Sequence, residues 1–595
     1  MKKSLLFLIL SISLIASGQA PRDKRLAGLD TFVQKVLKDR HAPGVTIAVV
    51  EKNKVLFVGG FGYGNYEKKL PVTENTLFAI GSCTKAFTAA MLGMLEKEGL
   101  VDLDKPVRDY LPELKFKDEY NNAHVTLRDM MCHRTGLPRH DLSWYGSTAS
   151  RSELLKRIQY MESSAELRAR YQYNNFMFMA QGMVIEKLTG KSWEENLHER
   201  ILKPLGMNNS NMSVIELEKV ADRSLAYTLR NDTTITAIPY RNIDAIGPAG
   251  SINSSAKDMA NWLITWINDG KFNGKEIFPA SYRNQAITVQ MPTGGGLPGL
   301  ENPDVHLGGY GLAWGMTSYR SHYRVEHGGG IDGFITTTCF FPSDSIGIFV
   351  SSSQGAVSTI VRNWIADRLL KLPYFNWSKQ QLDALAKAKA GPKPQNKDSI
   401  NRKPGTKPLH TKNEYTGVYE NKGYGQAKIF LENDTLWLDY NEAGLKTKSY
   451  LEHYHYDIFR MLSTESKENF DAAKIAFITN EKGNVSSLEA MLEPTVKNIV
   501  FEKLAPQVNK NALQKFTGDY EIEGMNVKVY IKSENTLMVF VPGQTDYELV
   551  PTKENEFDMK VIKGYSVKFE VNDKNEVQSM SFIQPNGTFK AKRKK

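Results

Sequence analysis

The sequence predicts an α+β domain, in which an antiparallel sheet is flanked by helices and interrupted by a helical lobe, followed by two small all-β modules. Three observations support this prediction. Strand patterns open and close the first part of the chain, and residues 100–260 between them have a mostly helical pattern with long loops. A basic, proline-containing stretch follows this part. Beyond that stretch, one strand-rich sequence occurs twice.

The amino terminus has the pattern of a secretory signal peptide. Met1-Lys2-Lys3 is a short basic start, residues 4–15 are apolar, and Ala16-Ser17-Gly18 supplies small residues for cleavage after Gly18. The apolar run is too short to span a bilayer, and no other segment has the ~18 consecutive apolar residues of a spanning helix. We therefore expect residues 1–18 to be removed, and the mature chain, without a transmembrane segment, to be periplasmic or secreted.

Residues 19–376 are predicted to form the α+β domain. Its helices are expected at residues 29–37 and 357–370, and its strands at 45–50, 55–58, 311–317, 323–326, 334–341 and 345–351. The glycine-rich run 59–64 is expected to close the first hairpin. It does not have the pattern of a phosphate-binding loop, because no Gly-Lys-Ser/Thr follows it.

Residues 377–411 are predicted to be a linker, because they are rich in Lys, Pro, Ala and Asn and contain few large apolar side chains. Much of the net charge of +10 lies in residues 379–412, which contain nine Lys and Arg but only two acidic residues. We interpret this charge as that of a solvated linker that can attract anionic polymers of the cell envelope. Aromatic and basic residues are not interleaved there, so no nucleic-acid partner is expected.

Residues 412–505 and 506–595 are predicted to be two similar β modules, because short motifs recur between them. The recurring motifs are Tyr415-Thr416-Gly417-Val418-Tyr419 with Phe516-Thr517-Gly518-Asp519-Tyr520, and Thr435-Leu436 with Thr536-Leu537. Both copies consist of short alternating strands separated by Asn, Asp and Gly, which is typical of all-β domains. The sequence leaves open whether they bind a partner, cover an active site, promote oligomers or act only as packing modules.

Ser82 and Lys85 form the S-x-x-K pattern on which the functional prediction is based. They precede a helical pattern that ends near Gly99, so both side chains should point the same way from the first helical turn. The amino-terminal end of a helix has free N–H groups and partial positive charge. Such a position favours a serine that must become a nucleophile beside an amine.

Two further patterns follow along the chain. Tyr173 and Asn175 form a Y-x-N pair at the start of another helical pattern, although Asn175 could simply be an exposed helix N-cap. His327-Gly328-Gly329-Gly330 contains an H-x-G pattern and is expected to join two strands. Glycine at that position lets a ligand approach the edge of a strand closely.

Two of these patterns have rivals elsewhere in the chain. Ser254 and Lys257 repeat the S-x-x-K spacing, but Ser255 and Asp258 beside them are spaced as a helix capping box. His306-Leu307-Gly308 repeats the H-x-G pattern in a loop before a strand. We therefore rank both rivals lower as functional elements.

The cysteines and histidines do not predict a metal or disulfide framework. Cys83, Cys132 and Cys339 are too few for such a framework in a chain of 595 residues and are expected to be buried free thiols. His133 and His140 are not accompanied by a second cluster of metal-ligating residues. No metal site and no cofactor are therefore expected.

In this order, S-x-x-K, Y-x-N and H-x-G resemble the catalytic elements of the serine β-lactamase and penicillin-binding-protein superfamily. The resemblance is to the class C β-lactamase, D-alanyl-D-alanine carboxypeptidase and esterase side, and it covers residues 21–375. Other matching stretches are residues 103–107, 110–112, 132–138, 247–251, 310–315 and 327–334. The two β modules resemble the small lipocalin-like domains that are often attached to such hydrolases.

The resemblance implies a β-lactamase/transpeptidase-like fold and a role for each site residue. Ser82 would attack a carbonyl and form an acyl-enzyme, which water would then hydrolyse. Either Lys85 or Tyr173 would act as the base. Asn175 would orient Lys85 or the substrate amide. A tyrosine that ionises near neutral pH needs neighbouring cations, which Lys85 and His327 could supply.

The resemblance also implies that the backbone N–H groups of Ser82 and Gly330 form the oxyanion hole, with His327 and Gly329 on the substrate side. One departure bears on the substrate. The family often has K-T-G as its third element, whereas this chain has His327-Gly328-Gly329, and histidine is mostly neutral at pH 7. The missing cation should weaken recognition of a substrate carboxylate, so peptidase or esterase activity is expected ahead of efficient β-lactam hydrolysis.

The predicted function is a secreted serine hydrolase that acts on peptide (D-amino-acid type), ester or β-lactam acyl groups. Its substrate would be a small molecule or a peptide, including cell-wall-derived ones. The alternative is a catalytically inactive, penicillin-binding-like protein that binds the envelope. Intact Ser82, Lys85 and Tyr173 favour the enzyme. The sequence gives no prediction of the oligomeric state.

Overall fold

The structure, a computed structural model, describes residues 23–294, 306–353, 355–390, 401–440, 449–463, 473–506, 510–533, 535–553 and 555–594. The predicted signal peptide, residues 1–18, lies outside these ranges. The chain divides into two compact units, Met1–Asn396 and Lys397–Lys595, and each is described by itself. Of the helices in the described ranges, none combines the length and the hydropathy that a membrane-spanning segment requires.

The first unit contains the elements expected of a mixed domain. Its strands are β1 Gly44–Glu51, β2 Lys54–Asn65, β3 Leu70–Pro71, β4 Phe78–Ala79, β5 Ala226–Arg230, β6 Thr234–Ile238, β7 Asn253–Ser254, β8 Lys271–Phe272, β9 Lys275–Glu276, β10 Met291–Pro292, β11 Gly308–Tyr310, β12 Gly315–Tyr319, β13 His322–Ile331, β14 Phe334–Phe341 and β15 Ile346–Ser352. Its helices are α1 Leu29–Asp39, α2 Lys85–Lys97, α3 Glu119–His124, α4 Leu127–Met131, α5 Arg151–Arg157, α6 Asn175–Thr189, α7 Trp193–Leu197, α8 Lys203–Leu205, α9 Val214–Leu217, α10 Ala256–Ile267, α11 Ala280–Ala286, α12 Val357–Leu369 and α13 Trp377–Ala390.

A nine-stranded antiparallel sheet forms the centre of this unit, in the order β10-β11-β12-β13-β14-β15-β1-β2-β3. Strand β1, from the beginning of the unit, pairs along its length with β15, from near its end, so that Val45 lies opposite Ser352 and Glu51 opposite Ile346. The helices α2 to α11 are inserted in sequence between β3 and β10. The predicted α+β domain with an inserted helical lobe is thus confirmed.

An apolar core lies on each face of the sheet. Ala48 and Val50 of β1 belong to the larger core, which includes residues of α2, α6 and α10. Val45, Ile47 and Val49 belong to the second core, with residues of α1 and α12. Because successive strand residues point to opposite faces, the near-continuous apolar sequence of β1 is buried on both sides. Burial of each such aliphatic side chain contributes roughly 1.5–3 kcal/mol to folding.

The predictions for residues 59–64 and for part of 311–317 were wrong. The glycine-rich run 59–64 does not close the first hairpin but lies within β2, which continues to Asn65. A Cβ on Gly60 would stand 2.2 Å from Val72 Cγ1, so glycine is needed there for close packing rather than for a turn. Residues 311–314 form the turn between β11 and β12 rather than a strand. Residues 100–260 are mostly helical with long loops, as predicted, and also contain the β5–β6 hairpin, which was not predicted. The cysteines are buried and free, as predicted.

Helix α13 begins within the stretch that was predicted to be a linker. Trp377 donates from Nε1 to Asp367 Oδ2 at 2.7 Å, and its ring stacks on that of Tyr319 with centroids 6.0 Å apart. A guanidinium nitrogen of Arg40 lies 3.4 Å from the carbonyl oxygen of Ser378. These contacts pack the first turn of α13 against the rest of the first unit. The boundaries of the linker themselves stay a prediction.

Two closed, eight-stranded antiparallel barrels form the second unit, which confirms the two predicted all-β modules. The first barrel consists of α14 Lys412–Tyr415, β16 Gly417–Asn421, β17 Gly425–Glu432, β18 Thr435–Asp439, β19 Ser449–His455, β20 Ile458–Ser463, β21 Lys474–Thr479, β22 Val485–Ala490 and β23 Ile499–Lys503. The second consists of α15 Lys510–Gln514, β24 Gly518–Ile522, β25 Met525–Lys532, β26 Thr536–Phe540, β27 Tyr547–Lys553, β28 Glu556–Met559, β29 Ser566–Val571, β30 Val577–Gln584 and β31 Gly587–Arg593.

The repeated sequence motif has the same structural role in both barrels. The Tyr419 hydroxyl on β16 donates to the carbonyl oxygen of Tyr415 at 2.7 Å, and the Tyr520 hydroxyl on β24 donates to that of Phe516 at 2.8 Å. Both tyrosine rings are fully buried. In each barrel, the motif therefore hydrogen-bonds the first strand to the segment that precedes it.

Candidate active site

Ser82 lies just before α2, in a single 3-10 turn, Gly81–Thr84, that leads into this helix. Gly81 has a φ of 51°, in the left-handed region that favours glycine. A Cβ at Gly81 would also lie 2.9 Å from the backbone nitrogen of Gly330 on β13. The turn and the close approach of β13 therefore both require glycine, and together they place Ser82 in the wall of an open cleft of about 410 Å³.

Lys85 is fully buried one helical turn below Ser82. Its Nζ lies 3.1 Å from Ser82 Oγ, 2.7 Å from Asn175 Oδ1 and 2.8 Å from the carbonyl oxygen of Ala249. The three-residue spacing thus brings both side chains to one helix face, as predicted. The same amine also contacts the asparagine of the Y-x-N pair.

The Y-x-N pair stands at the beginning of α6. Asn174, rather than Asn175, is the N-cap, since its side chain accepts a hydrogen bond from the backbone N–H of Met177 at 3.0 Å. Asn175 is only 6% exposed. Its Oδ1 accepts from Lys85, and its Nδ2 donates to Asp141 Oδ1 at 2.9 Å. The interpretation of Asn175 as an exposed cap is therefore wrong, because the first turn of α6 faces the buried amine.

Tyr173 reaches the same cleft. Its ring centroid lies 4.7 Å from Lys85 Nζ and 4.9 Å from Cζ of Arg139. It lines the cleft together with Ser82, whose side chain lowers the pKa of the phenol in part. The ring also packs against that of His133, with centroids 4.2 Å apart. The structure therefore brings a hydroxyl, an amine and a phenol from the segments that begin α2 and α6 into one site.

The H-x-G pattern lies within a strand rather than between two strands, so the predicted connection was wrong. Strand β13 continues through these residues to Ile331 and pairs with β14 over its whole length from Val325. Strand β12 pairs with β13 only as far as Glu326. From His327 onward, the edge of β13 therefore lines the cleft beside Ser82. The glycines are tolerated in a strand because Gly329 packs directly on the segment that carries the serine.

His327 is held as a neutral imidazole. Burial lowers its pKa to about 4, and the nearby Lys85 acts in the same direction. Its Nδ1 lies 2.6 Å from the carbonyl oxygen of Gly328, which can only accept, so Nδ1 carries the hydrogen. Nε2 then accepts from the Tyr310 hydroxyl at 2.8 Å. His327 therefore does not supply the cation expected beside Tyr173, because burial disfavours the imidazolium.

Burial shifts the pKa values of Lys85 and Tyr173 in opposite directions. The pKa of Lys85 lies well below its usual 10.5, chiefly because the amine is buried and also because of the positive charge of Arg139. The pKa of Tyr173 is raised by burial, although the side chain of Ser82 lowers it in part. Both the ammonium and the phenolate are disfavoured by desolvation, so the site favours a neutral amine beside a neutral phenol.

The rival motifs have structural roles outside the cleft. Lys257 is exposed and lies 3.5 Å from a carboxylate oxygen of Glu74, while the buried Ser254 hydroxyl is hydrogen-bonded to that of Ser210 at 2.8 Å. Ser255 caps α10, as its spacing to Asp258 predicted. His306 is exposed and donates its backbone N–H to a serine hydroxyl.

Several residues of the site were not assigned a role from the sequence, among them His133, Arg139, Asp141 and Tyr310. Asp141 accepts hydrogen bonds from Asn175 and, at 2.5 Å, from Nε of Arg139. The buried His133 accepts at Nδ1 from the backbone N–H that follows Tyr173, at 3.1 Å. His133 and Tyr310 lie in stretches that resembled the family, which was a usable signal. Arg139 and Asp141 follow directly after such a stretch, and no sequence signal indicated a role for them.

Comparison with known proteins matches both parts of the chain. The Beta-lactamase family matches residues 29–371, and a domain of unknown function, DUF3471, matches residues 401–503. An unguisins hydrolase of Aspergillus campestris is 30% identical over 428 residues, which cover 68% of this chain and 77% of the relative. Protein flp of Staphylococcus aureus is 25% identical over 327 residues, which cover 54% of this chain and 62% of the relative.

A solved structure agrees with these matches at the level of the fold. The octameric penicillin-binding protein homologue from Pyrococcus abyssi aligns with a TM-score of 0.52 at 21% sequence identity. The alignment covers 80% of this chain and 100% of that chain. Ser82, Lys85, Tyr173 and His327 all lie within the residues that match the family.

Proposed function

The chain belongs to the beta-lactamase family, and from this premise we propose that it is a secreted serine hydrolase that forms an acyl-enzyme at Ser82. One observation carries the proposal: the buried amine of Lys85 lies 3.1 Å from Ser82 Oγ and within 2.8 Å of two carbonyl-type oxygens. Secretion rests on the signal-peptide pattern of residues 1–18 alone.

Lys85 is the base in this proposal. An unprotonated amine has two N–H groups and one lone pair. Asn175 Oδ1 and the Ala249 carbonyl oxygen can only accept, so the two N–H groups point to them and the lone pair is left for the Ser82 hydroxyl. Burial lowers the pKa of Lys85, which makes the unprotonated amine easier to reach than in a solvated lysine. The raised pKa of Tyr173 disfavours a phenolate base.

Acylation then proceeds with each proton accounted for. As Ser82 Oγ bonds to the substrate carbonyl carbon, its proton moves to Lys85 and the carbonyl oxygen becomes an oxyanion. The backbone N–H groups of Ser82 and Gly330 would bind this oxyanion, and loss of one such donor typically slows a reaction ~10²–10³-fold. The close packing of Gly81 on Gly330 supports this pairing, since it brings the two backbone segments together.

The leaving group departs with the proton that Lys85 holds. That proton reaches the amine or alcohol directly or through the Tyr173 hydroxyl, the C–N or C–O bond breaks, and Ser82 stays acylated. Water then attacks the ester, gives its proton to Lys85, and the return of that proton to Ser82 Oγ releases the acid. A protonated Tyr173 in the same cleft as Ser82 suits a relay better than a base.

The charges that line the cleft bear on the substrate. His327 is neutral, so the third element offers no fixed cation to a substrate carboxylate. Arg139 lines the cleft, but Asp141 partly neutralises it through their hydrogen bond. We therefore propose peptides of the D-amino-acid type or esters as substrates ahead of β-lactams. The similarity to an enzyme named a hydrolase supports turnover over the alternative of inert binding.

A serine replacement tests this proposal. The purified protein should hydrolyse a p-nitrophenyl ester, and a fluorophosphonate probe should label Ser82. Ser82→Ala should lower kcat/KM by about 10³-fold or more and abolish labelling. Ser254→Ala is the matched control, because Ser254 is the serine of the rival S-x-x-K and is already hydrogen-bonded away from the cleft. Equal rates in the wild type and Ser82→Ala would reject the proposal, and binding of cell-wall fragments without any acyl turnover would favour the inert protein.

A side-by-side comparison of substrates then refines the assignment. Short D-amino-acid peptides, p-nitrophenyl esters and a penicillin should be offered to the same preparation. We expect kcat/KM for the penicillin to be the lowest of the three. A penicillin that is turned over fastest would contradict the argument from the neutral His327.

A further inference from the structure

The first barrel contains an apolar cavity that the proposed hydrolase reaction does not use. Its volume is about 50 Å³, and its wall includes Met461 and Phe501. Tyr440 and Ser449 mark the end of the barrel at which the cavity lies, next to the end of β18 and the beginning of β19. One water-sized group occupies ~10–15 Å³ on this scale, so the cavity has room for about four groups of that size.

The second barrel is an internal reference, because the pairing of the strands identifies equivalent residues. Tyr419 and Tyr520 are equivalent in the repeated motif. Ala427 lies opposite Tyr419, and Val527 lies opposite Tyr520. The cavity residue Ala427 therefore stands at the position that a larger valine occupies in the second barrel.

Two other cavity residues are also smaller than their counterparts. Ser449 and Tyr547 are the first residues of β19 and β27. Ala490 and Phe582 are each the sixth residue of β22 and β30. Phe582 is buried in the core of the second barrel, and Tyr547 packs against the same core. The second barrel thus has valine, tyrosine and phenylalanine where the wall of the first has alanine, serine and alanine.

Other exchanges between the barrels are in the opposite direction. The cavity residues Leu438 and Ile475 stand at the register positions of the smaller Val539 and Val567. Phe501 stands at the register position of Ala591. Its ring makes edge contacts with Tyr424 and Tyr440, at 6.3 Å between centroids in each case. These contacts hold the ring in the cavity wall, so Phe501 bounds the space that the three small residues leave open.

We propose that the first barrel binds the end of an unbranched alkyl chain, with the polar head of the ligand at the Tyr440 and Ser449 end. Apolar cavities accept small apolar groups. The volume has room for about four water-sized groups, fewer than the six carbons of a cyclohexane ring, so the end of a chain can enter where a whole ring cannot. In the wall, the Ser449 hydroxyl and the oxygen of Tyr440, which donates its own hydrogen to the carbonyl oxygen of Tyr424, provide the polar contacts that orient such a ligand.

Two equivalent methionines allow a direct test on the full-length protein. Met461 lines the cavity and lies opposite Leu451, and Met559 in the second barrel lies opposite Leu549. In protein labelled with [methyl-¹³C]methionine, titration with 1-hexanol should shift the Met461 methyl resonance along a saturable curve and leave that of Met559 in place. Cyclohexanol should bind at least about tenfold more weakly. Met461→Leu identifies the resonance.

Variants that install the residues of the second barrel provide the control. Ala490→Phe should abolish the saturable shift of Met461, while the Met559 resonance and the hydrolysis of a p-nitrophenyl ester stay unchanged. Ser449→Tyr closes the cavity from another strand and replaces Ala490→Phe if that variant fails to fold. The proposal is overturned if Met461 shows no saturable shift, if Met559 shifts equally, if cyclohexanol binds as tightly as 1-hexanol, or if the shift survives in a folded variant.

Discussion

The carbonyl oxygen of Ile80 lies against Gly329 so closely that a Cβ on this glycine would stand 1.9 Å from it. This contact joins the segment that carries Ser82 to the edge of β13. The position of the nucleophile relative to the strand therefore depends on the absence of a side chain at residue 329. Real Cβ atoms do not approach a carbonyl oxygen so closely, so one of the two segments would have to move.

Gly329→Ala should lower kcat by about 10²–10³-fold, because displacement of the Ser82 segment spoils the oxyanion geometry. Gly328→Ala is the matched control, since a Cβ there would meet its nearest neighbour, the carbonyl oxygen of Thr336, at an ordinary 3.8 Å. Steady-state kinetics with a p-nitrophenyl ester measures both. Equal losses in the two variants would contradict a role for the contact with Ile80.

Asn175→Asp should slow the reaction by about 10²-fold at neutral pH. A carboxylate at the position of Asn175 Oδ1 would stand 2.7 Å from Lys85 Nζ and stabilise the ammonium form. The amine could then accept the Ser82 proton only at higher pH, so activity should partly return in alkaline buffer. Rates measured from pH 6 to 10 test this expectation. A variant that is slow to the same extent at every pH would argue against Lys85 as the base.

Arg139→Gln should move the acid limb of the pH–rate profile to higher pH. Lys85 must be unprotonated to act, so activity rises as the pH rises through the pKa of Lys85. Burial is the main cause that lowers this pKa, and the positive charge of Arg139 lowers it further. Removal of that charge raises the pKa and leaves less free amine at a given pH. Arg139→Lys keeps the charge and should keep the profile. A limb that stays in place in Arg139→Gln would show that this guanidinium does not tune the amine.

Asp129→Asn should destabilise the first unit by about 1.5–3 kcal/mol, because the buried group loses charge-assisted hydrogen bonds from the partly exposed Arg134 and the exposed Arg168. The carboxylate is fully buried and accepts from Arg134 at 2.6 Å and from Arg168 at 2.8 Å. Burial raises its pKa, but these arginines outweigh burial, and the pKa is lowered on balance. The stabilisation is thus present above the usual carboxyl pKa and is lost as pH falls through the lowered value.

Denaturant unfolding of Asp129→Asn and the wild type at pH 7 and pH 3 checks this prediction. The two proteins should differ most at pH 7 and approach each other in acid. Asp434→Asn serves as a surface control, because Asp434 is exposed and its ion pair with Lys412 should contribute little. A difference between wild type and Asp129→Asn that grows in acid would refute the assigned sign.

Local patterns predicted much of the fold and part of the site. The apolar run of β1, the two repeated motifs and the spacing of Ser82 and Lys85 each report on one strand, one module or one helix face. The boundaries of β2 and β13 were wrong because a glycine in a strand resembles a turn until its neighbour is known. The neighbour of Gly60 is Val72, and the neighbour of Gly329 is Ile80. The sequence around each glycine does not indicate these contacts.

The choice between the two S-x-x-K copies also depended on distant residues. Ser254 and Lys257 have the same spacing as Ser82 and Lys85, but Lys257 points to solvent and Glu74. In the sequence, two signals favoured the first copy. It is followed by the Y-x-N and H-x-G patterns, and the second copy stands beside the capping-box spacing of Ser255 and Asp258. The structure adds the physical difference, which is that one lysine is buried against Ser82 and the other is exposed.

The sequence by itself determined the α+β class of the first unit, which serine and lysine share a helix face, and that the second part of the chain contains two similar modules. These outcomes follow from side-chain periodicity and from repetition, which act over a few residues or between obvious copies. Only the tertiary structure decided the charge of the site, with a depressed amine pKa at Lys85 and a neutral His327. Protonation depends on burial and on contacts with Asn175 and Ala249, which are 90 and 164 residues away from Lys85 in the chain.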